Sequence, residues 1–545
     1  MGDAVEKIYV QEKKIKKSKI KDYVLTRRTP ELVMGFCGAA GSGVSTVSKV
    51  LKEKIEKSPY NYKVEIIKIS KGIDLLKDCL AKKVDVSWAN GFEKEGLRFA
   101  ELQEYGNALR SEFTTDVLSQ YAICKILDIR SRDYLSEDEK KDITEDSLPK
   151  VKKRILWIID SLKNPDEIDA LRYVYGKMFF QIGVLCPNDK RTKRLEFKQM
   201  SKKEASLIIE KDKSESVQSG QQLIKTIQRS DFFVKNSSDN KKDIEKEIDR
   251  FVKLIFGGIE TPTRQEYAMY VAQSAAYSSG CLSRQVGSSI IDEDGNVISY
   301  GCNDAPKYGG GLYSGGDEPD NRCFNNHDMT CQNSKRKKLI IDKLKLKMDD
   351  FVSEVKKKSK DKELIDYFKK FNLDSFVDEL SSYSGIKDIT EYSRAVHAEM
   401  DALIKLSRKA GRGARGCSMF VTTYPCHNCA KHIIASGIDK VYYIEPYEKS
   451  LAYELHSDAI ALDFEESKDK VKFIPFQGVS PRRYPEFFMQ HGDRKAEGIR
   501  TAEEARDQLP ISDKFIDSYD FYETKAIQAL KEMHLYSKVS GTNGG

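Results

Sequence analysis

Residues Glu31–Ile55, ELVMGFCGAAGSGVSTVSKVLKEKI, decide how the first half of the chain reads. An apolar run, a glycine-rich turn and then apolar residues at helical spacing predict strand, loop and helix in succession. The same alternation recurs further along. YKVEIIKIS (Tyr62–Ser70) alternates apolar and polar residues as a strand does. RILWIIDSLKNPDEIDALRYVYG (Arg154–Gly176) predicts a buried strand ending in Asp160, a turn capped near Asn164 and Pro165, and a helix. MFFQIGVLCP (Met178–Pro187) and DFFVKNSSD (Asp231–Asp239) add two more strands. Strands alternating with helices predict a parallel, three-layer α/β/α domain over residues 28–255, preceded by a basic segment, residues 1–27.

The chain has 545 residues, room for roughly three or four domains. Hydrophobic residues make up 39% and charged residues 32%, and the mean hydropathy is -0.55. Such a composition fills cores and excludes an intrinsically disordered chain. No apolar run reaches the length that spans a bilayer. The first residues, MGDAVEKIYVQEKKIKKSKI, hold no apolar signal region, and Glu6 stands where a myristoylation signal wants Ser or Thr. A cytoplasmic protein is expected. Eleven Cys in so long a chain point away from a disulfide framework, and their clustering near His points to metal. The net charge of +7 is unevenly spread, with basic runs at Lys13–Lys21 and Ser334–Lys347. These runs suit phosphates or RNA, or else simply solvated helix faces.

A second unit is expected over residues 260–490. It opens with a Thr-capped helix, continues through a hairpin (QVGSSIIDEDGNVISYGCND) and is interrupted by a long insertion, residues 304–392. Helix, strand, helix and strand follow, from AVHAEMDALIKLSRKAG to KVYYIEPY. Residues 491–545 read as a helical extension.

Chemistry concentrates in AVHAEMDALI (Ala395–Ile404) and TTYPCHNCAKHII (Thr422–Ile434). His397 offers one neutral nitrogen ligand. Cys426 and Cys429 lie three apart, so on the first turn of a helix they point the same way. Pro425 suits a helix start, and a helix N-terminus favours thiolate over thiol. Three N/S ligands with one open position describe a catalytic zinc, which brings the pKa of water to about 7. Glu399, two residues beyond His397, is placed for general acid/base work. The other reading is a structural zinc closed by His427 or His432. The H-x-E … P-C-x-x-C order matches the signature of zinc nucleobase deaminases.

These residues, with SRQVGSSIIDEDGNVISYGCNDAP, HAEMDAL, TTYPCHNCAKHIIASGIDKVYYIEPY and PFQGVSPRRYPEFF, resemble the deoxycytidylate deaminase family over Thr263–Gln490. The resemblance implies a cytidine-deaminase-like α/β/α domain with a mixed sheet. It implies deamination of free deoxycytidine nucleotides, dCTP or dCMP, with Asn303 near the substrate sugar and Glu399 protonating the ring. The two-part chain resembles bacterial antiphage deoxycytidylate deaminases with an N-terminal P-loop kinase-like domain. That likeness implies depletion of the nucleotide pool during infection, a silencing noncoding RNA partner and a homo-oligomer. A housekeeping deaminase serving thymidylate supply and an editing deaminase acting on polynucleotide are the alternatives; a large extra domain disfavours the former, and basic runs poor in aromatics disfavour the latter.

GAAGSGVST (Gly38–Thr46) follows the phosphate-loop pattern at Gly38, Gly43 and Ser45, with Gly41 and Thr46 alongside, but Val44 replaces the lysine. Its amides can still cradle phosphate. Asp160 stands where a magnesium-associated acid belongs, and Arg191 and Arg194 resemble kinase lid residues. A regulatory nucleotide with Mg2+, an active kinase and a structural relic are the readings; loss of the placed lysine charge disfavours the kinase. Finally, Cys302, Cys323, His327 and Cys331 are candidate ligands of a second, structural zinc.

Overall fold

The computed structural model describes residues 29–135, 153–213, 222–237, 240–325, 328–386, 389, 391–408, 413–447, 449–463, 465, 467–490, 495–496, 499–500 and 520–540. The basic segment 1–27 and His327 lie outside them, as does much of 491–545. The chain divides into two compact units, Met1–Thr261 with Gln477–Gly545, and Pro262–Phe476.

In the first unit, β1 (Leu32–Gly38), β2 (Lys63–Lys68), β3 (Ile155–Asp160), β4 (Phe179–Leu185) and β5 (Phe232–Lys235) run parallel in the order β5-β4-β1-β3-β2. Every residue of β1 is buried, as a central parallel strand covered on both faces must be. Alternate residues feed opposite layers. Val33, Trp157, Ile159 and Phe179 enter one core cluster; Leu32, Met34, Phe36, Ile158 and Phe180 enter the other. The turn after β3 is closed by a capping box. Asn164 Oδ1 accepts the Asp166 N–H at 3.0 Å, and Glu167 Oε2 accepts the Asn164 N–H at 3.1 Å.

The sequence reading carried the second domain to residue 490; the structure closes that unit at Phe476. Packing explains the difference. Gly478–Val479 adds an antiparallel strand to the open edge of β5. Phe487 stacks on Phe180 with ring centroids 5.9 Å apart, and Arg483 Nη2 donates to the Phe179 carbonyl oxygen at 2.7 Å. The expected helical extension is also part of this unit. From its helix Asp520–Glu532 and the residues that follow, Ala526, Leu530, Leu535 and Val539 enter the first core cluster. Beside them Arg130 is 1% exposed, its guanidinium 2.9 Å from Glu31 Oε2 and 2.8 Å from Glu523 Oε2.

The second unit holds β6 (Gly287–Ile291), β7 (Val297–Cys302), β8 (Ser418–Thr423), β9 (Lys440–Glu445), β10 (Ile460–Leu462) and β11 (Val471–Pro475), in the order β10-β11-β9-β8-β6-β7. β6 is antiparallel to β7 and β8; the remaining pairs are parallel. This is a mixed sheet. Thr263 caps the helix Arg264–Ala276 in a capping box with Glu266. Two glycines let helices lie directly on strands. A Cβ on Gly287 would come within 1.8 Å of the Ala272 carbonyl oxygen, and one on Gly301 within 2.4 Å of the Ala402 nitrogen. The second approach seats the helix Ala398–Ser407 on β7. The insertion folds as helices Gln332–Lys358, Lys362–Lys370 and Leu373–Tyr383. Within the first of these, Val352 is the buried residue.

Two predictions follow from these contacts. Arg130→Met leaves two buried carboxylates facing one another and lowers the stability of the first unit by about 3–5 kcal/mol. Both tryptophans of the chain, Trp88 and Trp157, lie in this unit, so the midpoint of urea unfolding followed by tryptophan fluorescence reads it; an unchanged midpoint refutes the assignment. Gly301→Val forces the helix Ala398–Ser407 off β7 and costs at least about 1–3 kcal/mol, visible as faster amide hydrogen exchange confined to that helix and β7.

Candidate active site

Two helices begin at the same place. His397 is the N-cap of the helix Ala398–Ser407, and Glu399 is the second residue of that helix. Cys426 is the N-cap of the helix His427–Ala435, and Cys429 is its third residue. Chain direction makes this possible, because β8 runs straight through Tyr424–Pro425 into the second helix. Ser450 Oγ donates to the Pro425 carbonyl oxygen at 2.7 Å and holds that turn. Asp401, buried and not singled out by the sequence reading, ties the first helix to β7: its Oδ2 accepts the Cys302 N–H at 3.1 Å and the Lys405 ammonium at 2.6 Å.

Cys426 Sγ and Cys429 Sγ each lie 3.3 Å from His397 Nδ1. The three ligand atoms fall within 4.8 Å of one another, the one such group among the described residues. Hydrogen bonds from Cys429 and His397 bring the Cys426 thiol down to about 4. The Cys426 sulfur in turn raises His397 to about 9, and it pushes the Cys429 thiol up, with burial adding to the effect. A lowered Cys426 thiol favours the thiolate form that a metal ligand needs. Two sulfurs and one nitrogen at this spacing suit zinc, whose preferred donors they are. Glu399 is 4% exposed, and burial raises its carboxyl above the ordinary range.

His427 and His432 stay outside the metal group. His427 Nε2 lies 3.7 Å from Glu391 Oε1, and His432 faces outward. Among the described residues, the second candidate set forms no metal group either. Cys302 ends β7, where burial pushes its thiol up to about 11. Cys331 Sγ sits 3.5 Å from Ser283 Oγ instead. With Cys323 they form no metal-holding group among the described residues, and His327 lies outside those.

A cavity of about 320 Å³ opens onto His397, Glu399 and Cys426, and its wall includes Arg284, Asn303, Asn333, Lys337, Tyr447 and Lys449. Asn303 lines it, but its amide is engaged with backbone: Oδ1 accepts the Val286 N–H at 2.7 Å and Nδ2 donates to the Arg284 carbonyl oxygen at 2.9 Å. Its structural work is to hold the Arg284 loop. Asn333 and Lys337 come from the insertion, which the sequence reading did not connect with the site.

In the first unit, Gly41 and Gly43 adopt left-handed φ of 77° and 84°, and Gly43 caps the helix Val44–Ile55. A Cβ on Gly41 would meet the Arg191 carbonyl oxygen at 2.7 Å. Ser45 Oγ lies 3.4 Å from Asp160 Oδ2, and the Thr46 N–H donates to the Gly43 carbonyl oxygen at 3.0 Å. Burial raises the Asp160 carboxyl. Cations gather around the loop from elsewhere in the chain. Lys163 Nζ donates to the Gly38 carbonyl oxygen at 3.0 Å, Arg191 Nε to that of Ala40 at 2.9 Å and Arg194 Nη1 to that of Ser42 at 3.2 Å. An acid joins them, since the Ala40 N–H donates to Asp212 Oδ2 at 2.5 Å.

The donor set yields a direct prediction. Purified protein retains about one zinc per chain at the His397 site. Cys426→Ser and Cys429→Ser lose it, while Glu399→Gln keeps it, as read by elemental analysis after dialysis. Retention of zinc by both serine variants refutes the ligand assignment.

Comparison with known proteins bears on the same span. Residues 262–445 match the family model of the cytidine and deoxycytidylate deaminase zinc-binding region. ComE operon protein 2 of Bacillus subtilis is 46% identical over 56 residues, 10% of this chain and 29% of that protein. The deoxycytidylate deaminase of Enterobacteria phage T4 is 44% identical over 55 residues, 10% and 28%. The human deoxycytidylate deaminase is 42% identical over 48 residues, 9% and 25%. The chain therefore spans less than a third of the length of these relatives. Among solved structures, the dCMP deaminase of cyanophage S-TIM5 in complex with dCMP and dUMP aligns at 16% identity over 40% of this chain and 99% of that one, with a TM-score of 0.22. The residues that gather around His397 thus fall inside the stretch that matches the zinc-binding region of cytidine and deoxycytidylate deaminases.

Proposed function

We propose that the second unit is a zinc-dependent hydrolytic deaminase of free deoxycytidine nucleotides, converting dCMP or dCTP to the deoxyuridine nucleotide and ammonia. The observation that carries this reading is a buried glutamate beside a His/Cys/Cys group in a cavity walled partly by cations. His397, Cys426 and Cys429 would hold the zinc, which supplies a nucleophile from water at neutral pH. Glu399 does the proton work. Its carboxylate takes a proton from the attacking water and passes it to the ring nitrogen next to the amino-bearing carbon. It then moves the second proton to the amine that departs. Oxygen replaces nitrogen on that carbon, and ammonia leaves. Burial of Glu399 favours this exchange, because a carboxyl raised above its ordinary range gives up and regains protons closer to neutrality. The names of the relatives, several of them deoxycytidylate deaminases, support the substrate class.

The first unit is read as a regulatory nucleotide-binding domain with Mg2+. Left-handed Gly41 and Gly43, the pairing of Ser45 with Asp160, and Arg191 and Arg194 on the loop support it. Pool depletion in antiphage defence, restrained by a noncoding RNA, rests on the resemblance of the two-part chain. Routine supply of deoxyuridylate would use the same chemistry, and a homo-oligomer fits either setting.

Incubation with dCMP and dCTP, followed by chromatography, tests the reaction. The parent protein yields dUMP or dUTP, and Glu399→Ala loses about 10²–10⁴-fold in turnover with its zinc content intact. Equal turnover by parent and variant, or no product from either nucleotide, overturns the reading.

A further inference from the structure

The basic run Ser334–Lys347 divides between two environments. It lies on the helix Gln332–Lys358 of the insertion. Asn333 and Lys337 are four residues apart, so they share a helix face, and both line the catalytic cavity. Arg336 turns elsewhere, to the Tyr392 ring at 5.9 Å, and Lys335 pairs with Asp328 at 2.5 Å. Lys337 therefore faces the catalytic cavity while its basic neighbours face away from it. Asn333 Nδ2 donates to the Ile389 carbonyl oxygen at 3.0 Å, which pins the first turn of the helix to the chain returning toward His397.

Lys337 has company there. Arg284 reaches the cavity from the loop before β6, and Lys449 from the loop after β9. Three cations from three separate elements surround one small cavity. Glu445, 3.4 Å from Arg284, offsets part of that charge, and Glu399 lines the same cavity, buried beside the metal ligands. A cytosine ring placed at Glu399 has no negative charge for these cations to meet. A monophosphate carries about −1.5 to −2; a triphosphate carries more and is long enough to engage cations on separate walls.

We propose that the insertion helix forms the phosphate-reading wall of the catalytic cavity, with Lys337 binding the phosphate chain beyond the first phosphate and favouring dCTP over dCMP. The proposal rests on the deaminase reading and adds the residue that sets substrate preference. In this role the insertion completes the binding site, and Lys337 is a specificity residue with no part in the proton transfers.

Steady-state kinetics with deoxycytidine, dCMP and dCTP test it, on the parent protein, Lys337→Ala, Lys337→Arg and Lys343→Ala, the last an exposed position on the same helix. Lys337→Ala raises KM for dCTP at least tenfold and for dCMP by clearly less, with kcat for dCTP close to the parent's. Lys337→Arg recovers most of the affinity, and Lys343→Ala matches the parent on all substrates. A loss that is equal for deoxycytidine, dCMP and dCTP assigns Lys337 a structural role and overturns the proposal, as does no change with any of them. Should the parent convert none of the three, the deaminase reading fails. The phosphate site is then judged by calorimetric binding of inorganic tripolyphosphate: weaker binding to Lys337→Ala than to the parent supports it, and equal binding overturns it.

Discussion

Two helix N-termini meet at one imidazole, and the candidate site depends on that meeting. A helix start presents unpaired N–H groups and a partial positive charge, which lowers the energy of a thiolate placed there. Cys426 and His397 both occupy N-cap positions, so their side chains leave the helices at the ends where that field is strongest. The helices can meet only because the one carrying Glu399 lies flush on β7, and it does so because residue 301 has no side chain. Asp401 then anchors the same helix through the Cys302 N–H. A local motif therefore becomes a site through a backbone contact about a hundred residues back in the chain.

The first unit shows a different constraint. The central strands of its sheet are buried on both faces, and its core clusters are completed by residues from the far end of the chain. Arg130 holds two carboxylates, one from the strand region at residue 31 and one from residue 523. Burying three charged groups is tolerable only when each is compensated, so the C-terminal helix is a required part of this unit. The short strand Gly478–Val479 serves a related purpose by covering the edge of β5, which would otherwise offer unpaired backbone groups.

Much of this was legible in the sequence. Strand–helix alternation in residues 28–255 and the hairpin at Gln285–Asp304 follow from apolar periodicity and turn residues, which are local properties. His397, Glu399, Cys426 and Cys429 stood out because metal chemistry demands particular residue types at short spacing. Other features had no local signature. The role of Asn303 in holding the Arg284 loop depends on partners elsewhere in the fold. Cys302, Cys323 and Cys331 are close in sequence, yet Cys302 is drawn into β7 by strand pairing and buried. The insertion looked like a polar interruption; only its register on the cavity distinguishes Lys337 from the lysines around it.

The sequence by itself determined the element types and singled out the candidate donor set with Glu399 beside it, because each depends on residues a few positions apart. Tertiary structure alone decided where the units divide, which end of the chain completes which core, and which of many lysines faces the cavity at His397 and Glu399. Those outcomes depend on long-range burial and on the absence of side chains at Gly287 and Gly301. Packing energies of this kind arise between residues that no sequence window contains together.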